Sequence, residues 1–573
     1  MAEDKDRAPG LSRRKFLQGI GTGAVAVSVA PTQLTATHNE KMTAKSTRPN
    51  IVYFFVDDMG YGDASCLNPD GKIQTPNIDR LAREGMVCTD AHSSSAVCSP
   101  SRYSLLTGRY NWRSTLQKGI VGLYGPPLIP TDRLTVPAFL SQHGYHTACI
   151  GKWHLGQGWD FESEEKDFYP SSNYGPSPTE PDADQPASPE QQQRWREAFS
   201  KPTTAGPTTR GFDYYFGVDV PNWPPYCFIK NNRTVGIPSE FLPSRLVGNN
   251  LASVSGPAMP YWHFEQLLPT WAKQADHYIG QRAAADQPFF LYLPMTSPHT
   301  PLSVNKPWIG KSGLNNLYAD LMLETDDVFG QVLASLDKHG VADDTLVIFA
   351  SDNGCAHYIG VSEDGRGSYE KAMEPQGHHP SGPYRGYKSD VWDGGHRIPC
   401  LARWPGVIEP GTECRQLVCL SDLMATCAEI VDDTLPDNAG EDSISMLPLF
   451  RQDSSSGRKN LVHHSISGKF AIRDGRWKLV LCPGSGGWTY NDAEAAKAGM
   501  PLVQLYDMKD DPGERRNLQA EDPAKVRELL ALLRRQVAEG RSTPGLPQAN
   551  DVSVDIWKLD TMPGVAPRMM DDY

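Results

Sequence analysis

Several absences narrow the field before any motif is read. No two of the eleven cysteines are spaced Cys-x-x-Cys, which argues against a zinc ribbon or a thioredoxin-like redox site. No long run of lysine or arginine occurs, and 55 basic against 68 acidic residues leave a net charge of −13. No nucleic-acid partner is expected, because binding a phosphate backbone needs a basic face. No apolar stretch reaches the roughly 20 residues of a spanning helix, so no stable membrane anchor is expected. Nothing recurs at a period of about 20–50 residues, the signature of solenoids and propellers.

What remains is a chain of 573 residues, 39% hydrophobic and 21% charged, with 51 glycines and 47 prolines. That is the composition of a loop-rich globular enzyme. Residues 12–30 read SRRKFLQGIGTGAVAVSVA, with Arg13-Arg14 ahead of a short, glycine-broken apolar run. This resembles a bacterial twin-arginine export signal. The Tat export machinery is therefore an expected partner, and the expected location is periplasmic or secreted. Residues 1–45 are set aside as signal and linker.

The order of elements predicts an α/β fold. NIVYFFV (Asn50–Val56) is a continuous β-branched and aromatic run, suited to a strand buried on both faces of a parallel sheet. Further strands are expected at His146–Ile150, Pro288–Leu293 and Thr345–Ala350. Helices are expected at Pro76–Glu84, Val136–His143 and Leu317–His339. Strands alternating with helices indicate a large, mostly parallel sheet sandwiched by helices, with ligands beyond the carboxyl ends of the strands. After Leu461 the pattern alternates and turns at Asp474-Gly475, and a helix follows at Pro523–Glu539. We expect a catalytic domain over 46–460 and a smaller domain over 461–573 with an antiparallel sheet and one helix. Residues 157–209 and 355–384, rich in Pro, Ser, Gln, Gly and His, read as surface insertions.

The expected strand ends deliver polar groups to one crevice: Asp57-Asp58, Lys152 with His154, His299, and Asp352-Asn353. Three carboxylates and an amide favour a hard cation, calcium or magnesium, over zinc, and the multi-carboxylate set favours calcium. Cys98 opens CSPSRYSLLTGR (98–109), a helix start with Ser99 as expected N-cap and Pro100 at the first helical position. The free N–H groups there attract an anion, and Arg102 lies one turn in.

The segment Cys98–Arg109 resembles the signature of type I sulfatases, in which Cys-x-Pro-Ser-Arg directs oxidation of the cysteine to formylglycine (3-oxoalanine). GKWHLG (151–156), RGFDYYFG (210–217), SPHTP (297–301), SDNG (351–354), RGYKSDVWDGGHRIP (385–399) and LYDMKDDPGERRNL (505–518) resemble that family's later blocks in the same order. The resemblance spans roughly residues 48 to 520 and implies an alkaline phosphatase superfamily fold. It implies one calcium ion held by Asp57, Asp58, Asp352, Asn353 and the modified Cys98, with Arg102 supporting the hydrated aldehyde. Lys152, His299 and Lys388 would contact sulfate, with His299 or Lys388 protonating the leaving oxygen. His154 would take a proton from the second hydroxyl of the diol and release sulfate from a sulfo-enzyme intermediate. A formylglycine-generating maturation enzyme becomes a partner. Because the Tat route carries folded proteins, conversion is expected before export.

The implied activity is hydrolysis of sulfate monoesters, either aryl sulfates or sulfated carbohydrates. A phosphate or phosphonate ester hydrolase of the same superfamily is the alternative, as is a non-catalytic binder of sulfated glycans. Where the family usually has Glu-Gly-Gly after the lysine, this chain has Asp393-Gly394-Gly395. His357, His378 and His379 lie in the insertion before Lys388 and read as solvated loop histidines, with the lining of a substrate subsite as the alternative, and the other cysteines as buried hydrophobes or occasional disulfides.

Overall fold

The computed structural model describes residues 48–160, 187–243, 246, 254–285, 287–357, 373–455 and 457–558. The export signal and parts of both insertions lie outside the described residues. Five parallel strands form the centre of a ten-stranded sheet, in the order Thr345–Ser351, Asn50–Asp57, Phe289–Pro298, His146–Lys152 and Tyr214–Val218. Short, mostly antiparallel strands extend both edges.

The central strand shows why the fold forms. Alternate side chains of a strand point to opposite faces, and both faces here are apolar. Val52, Phe54 and Val56 pack with Phe329 and Leu333 of the Leu317–Lys338 helix and Trp271 of Leu267–Ala283. Ile51, Tyr53 and Phe55 pack on the other side with Leu105 of Cys98–Thr107, Leu140 of Val136–Gln142 and Leu423 of Leu423–Ile430. All six strand residues are buried. The sandwich expected from the sequence is the one found.

The chain between Asn460 and Asp507 folds into a four-stranded antiparallel sheet, as expected. The Pro523–Glu539 helix covers it, with Val526, Leu529, Leu530 and Leu533 packed on Leu461, Phe470, Ile472 and Leu479. Tyr110 and Trp112, just past the Cys98 helix, complete the same core. Residues 47–573 form one compact unit.

Two expectations need correction. The cysteine helix begins at Cys98 itself, with Val97 rather than Ser99 in the capping position; Ser99 Oγ instead accepts from Val121 N–H at 3.1 Å. The 157–209 stretch contains a helix, Pro189–Ser200, capped by Ser188 and Gln191 and anchored by buried Trp195 and Phe199. All eleven cysteines are free thiols, and all except Cys66 are buried, which bears out the hydrophobe reading and leaves no disulfide.

One glycine is decisive for placing the catalytic end of a strand. Gly151, directly before Lys152, has φ +132°, and a Cβ there would stand 1.9 Å from the Pro294 carbonyl oxygen on the neighbouring strand. Gly151→Ala should therefore cost about 3 kcal/mol or more, through strain and overpacking combined. Chemical denaturation should show that loss; a variant as stable as the parent would refute the close approach.

Candidate active site

The carboxyl ends of the parallel strands all face one crevice, so residues far apart in sequence meet there. Asp57 ends its strand, and Asp58 follows in a left-handed conformation, φ 69°, with its N–H donating to Asp352 Oδ1 at 3.1 Å. Asp352 and Asn353 follow the Thr345–Ser351 strand, and Asn353 Nδ2 donates to Asp58 Oδ1 at 2.7 Å. Lys152 ends its strand and reaches Asp57 Oδ2 at 2.6 Å. His299, directly after the Phe289–Pro298 strand, holds Nε2 3.7 Å from Asp58 Oδ2. Lys388 arrives from a loop, and its Nζ lies 2.6 Å from Asp58 Oδ2.

Cys98 enters from above the sheet at the start of its helix. Its Sγ lies 3.4 Å from Asp57 Oδ1 and 4.0 Å from Asp58 Oδ1. One ligand atom each from Asp57, Asp58, Cys98 and His299 falls within 4.8 Å of the others. Arg102, one turn into the helix and fully buried, donates to Asp352 Oδ2 at 2.8 Å and lies 3.4 Å from Asp57 Oδ1. All ten residues singled out in the sequence are buried around this crevice.

The electrostatics set three buried carboxylates, Asp57, Asp58 and Asp352, against three buried cations, Arg102, Lys152 and Lys388. Burial pushes the Asp57 carboxyl up, yet Lys152, His299, Arg102 and Lys388 outweigh it and hold the group well below the usual carboxylate range. Asp352 goes the other way, pushed up to about 7 by burial and by Asp57, against the pull of Arg102. Burial raises the Cys98 thiol well above its ordinary value, and the neighbouring carboxylates add to that against the pull of Lys152 and Lys388. A thiol held protonated is a poor nucleophile. Burial also depresses both imidazoles: His299 falls to about 4, with Lys388 contributing, and His154 falls well below its ordinary value, with Lys152 and Arg102 contributing.

The donor set fits a hard cation. Three buried carboxylates converge, two of them opposed in titration, and the amide oxygen Asn353 Oδ1 is buried with no hydrogen-bond partner. An orphaned oxygen beside three carboxylates is the ligand chemistry of calcium or magnesium. His154 holds Nε2 toward the Val121 carbonyl at 3.2 Å, which places the ring proton there and leaves Nδ1, buried and without a hydrogen-bond partner, as the lone pair.

Supporting residues escaped the sequence reading. Tyr318, in the long helix, donates its hydroxyl to Asp63 Oδ2 at 2.5 Å and lies 3.2 Å from the Asp58 carbonyl. His378 is no solvated loop histidine: it is fully buried, with Nε2 2.8 Å from Asp63 Oδ1. His379 is exposed, as expected, and His357 is half-buried. Asp393, the departure from the usual glutamate, pairs with Lys478 Nζ at 2.8 Å, and Lys478 also meets Glu514 at 2.8 Å. Buried charges so paired pin the Lys388 loop to the C-terminal sheet.

The ten-stranded mixed sheet with its helices and the small antiparallel sheet match the alkaline phosphatase-like fold of the sulfatases. The sulfatase family profile matches residues 49–433, and the profile of the C-terminal part of N-sulphoglucosamine sulphohydrolase matches residues 387–543. An N-acetylgalactosamine-6-O-sulfatase of Bacteroides thetaiotaomicron is 30% identical over 525 residues, covering 85% of this chain and 93% of its own. Arylsulfatase G of Rattus norvegicus is 29% identical, covering 86% and 87%. A solved structure from work on glycosaminoglycan metabolism by Bacteroides thetaiotaomicron superposes with a TM-score of 0.69 at 28% identity, covering 86% of this chain and 99% of its own. The chain belongs to the sulfatase family, an enzyme class that hydrolyses sulfate esters.

Proposed function

We propose that this protein hydrolyses sulfate monoesters of carbohydrates, and of simple aryl alcohols, through formylglycine made from Cys98 by a maturation enzyme. The observation that carries the reading is the position of Cys98: a buried thiol at a helix start, 3.4 Å from Asp57 and ringed by Arg102, Lys152, His299 and Lys388. Matured and hydrated, position 98 supplies one hydroxyl to attack sulfur, forming a sulfo-enzyme, and a second whose deprotonation expels sulfate. Asp57, Asp58, Asp352 and Asn353 would hold a calcium ion, which supplies positive charge beside the transferring group.

The remaining steps belong to the chain's own side chains. Lys152, His299 and Lys388 hold the sulfate and stabilise charge that develops on it. His299 or Lys388 delivers a proton to the leaving oxygen, and His154, with Nδ1 open, accepts one. Arg102 keeps Asp57 and Asp352 in place. The names of the sulfatase relatives favour a sulfated hexosamine among carbohydrates. The Arg13-Arg14 segment supports Tat export to the periplasm or beyond, with Cys98 converted first. No helix among the described residues is long and apolar enough to cross a membrane.

Side-by-side turnover of nitrophenyl sulfate and nitrophenyl phosphate by the matured enzyme tests the reading. Sulfate should be preferred; a large preference for phosphate would show a phosphate ester hydrolase, and turnover of neither ester nor any sulfated sugar would leave a glycan binder.

A further inference from the structure

The Lys388 side of the crevice carries an aromatic surface that none of these steps uses. Trp488 sits in the connection after the Trp477–Val480 strand, and 39% of it is exposed. Among the described residues it and Tyr261 are the exposed large aromatics. Its backbone is locked rather than loose. Trp488 N–H donates to Ser389 Oγ at 3.0 Å, Thr489 N–H to Asp390 Oδ1 at 3.2 Å, and Val391 N–H to the Ser485 carbonyl at 2.8 Å. Gly487 lies so close to the Ser389 carbonyl that a Cβ there would stand 2.5 Å from its oxygen.

His357 approaches the same spot from the other side. Its ring centroid is 5.7 Å from that of Trp488 and 6.5 Å from that of Tyr387. The Lys388 N–H meanwhile donates to the Cys355 carbonyl at 2.8 Å. Trp488 and His357 thus flank the backbone of Lys388, whose ammonium reaches Asp58 inside the crevice. An ester whose sulfate is held by that ammonium must pass its alcohol portion out beside its neighbours.

We propose that Trp488, flanked by His357, is the platform on which a sugar ring of the substrate stacks. A rigid, half-exposed indole beside an imidazole and the exposed Thr489 suits a pyranose, which has an apolar C–H face and a hydroxylated edge. An aryl sulfate has no ring hydroxyls for the imidazole to meet. This inference rests on the proposed sulfatase activity and names the part of the substrate that the common sulfate machinery does not read.

The test uses the matured full-length enzyme as wild type, Trp488→Ala and Trp488→Phe, with melting curves to show that all three are folded. A panel of defined sulfated hexosamines and galactosides supplies the best sugar substrate, and nitrophenyl sulfate is the comparison. Trp488→Ala should lower kcat/KM on the sugar about tenfold, mainly through KM, while changing nitrophenyl sulfate turnover less than about twofold. Trp488→Phe should recover most of the loss. Equal losses on both substrates, no loss on the sugar, or a wild type that cleaves nitrophenyl sulfate and no sugar in the panel would overturn the platform. A wild type that cleaves no sulfate ester at all is a different failure, that of the underlying sulfatase reading.

Discussion

Cys98→Ala should abolish sulfate ester turnover, with a loss on the order of 10⁴- to 10⁶-fold, the scale on which removing an enzyme's nucleophile acts. The fold should survive the change. Cys98 is buried, but its Sγ makes only the long contacts to Asp57 and Asp58, and deleting one sulfur from a site rich in other bonds leaves the helix and sheet intact. Melting curves of parent and variant should nearly coincide while the activity disappears. The chemical state of the residue is read independently, by mass spectrometry of the peptide spanning position 98. Loss of sulfur there, with an aldehyde in its place, is the expected result. An active enzyme with an unmodified thiol, or an active alanine variant, would remove Cys98 from the nucleophile role.

Stripping the metal has the second largest effect. Asp57, Asp58 and Asp352 place three carboxylates around one small volume, and Asn353 Oδ1 is left without a donor. Burial, with repulsion from Asp57 added, pushes Asp352 up to about 7 against the pull of Arg102, and a cation among the three carboxylates would relieve that repulsion. Exhaustive chelation should therefore cost about 10²–10³-fold in kcat, comparable to removing a principal electrostatic stabiliser, and calcium should restore it. Elemental analysis should find one calcium per chain before chelation. Calcium added back should also raise the melting temperature, because an ion that binds only the folded state stabilises it by mass action. Full activity in a chain shown to be metal-free would sink the assignment.

Parts of this arrangement were legible in the sequence for simple reasons. A strand buried on both faces must be apolar throughout, so Asn50–Val56 announces itself, and Asp57-Asp58 at its end stand out against it. The same contrast marks Asp352-Asn353 after Thr345–Ala350. The helix at Pro189–Ser200 carries a local signal as well, since Ser188 and Gln191 form a capping box with Pro189 at the first helical position ahead of Trp195 and Phe199, inside a stretch whose proline and glutamine content reads as loop. Ser99 has the chemistry of an N-cap and sits two residues too late, since the chain enters the helix at Cys98 and turns the hydroxyl toward Val121.

Other features had no local signal at all. His378 lies in a stretch rich in Gly, His and Pro, where a solvated imidazole is the natural reading; its burial depends on Asp63, 315 residues away. Tyr318 looks like one more apolar position of a helix until its hydroxyl is seen at Asp63 and Asp58. Trp488 and His357 are separated by a long interval of chain and meet only because the C-terminal sheet is stitched to Ser389 and Asp390.

By itself, then, the sequence determined the strand order's raw material, the chemistry available at the strand ends and the motif around Cys98, because hydrophobic periodicity and short motifs are encoded within a few residues. The tertiary structure alone decided which charges face one another, that Lys152 and Lys388 reach different carboxylates, that His154 keeps Nδ1 open, and that the Trp488 loop is tied to Ser389 beside Lys388. Those outcomes depend on how separate elements pack across the sheet, and electrostatic interactions act through distances in space rather than along the chain.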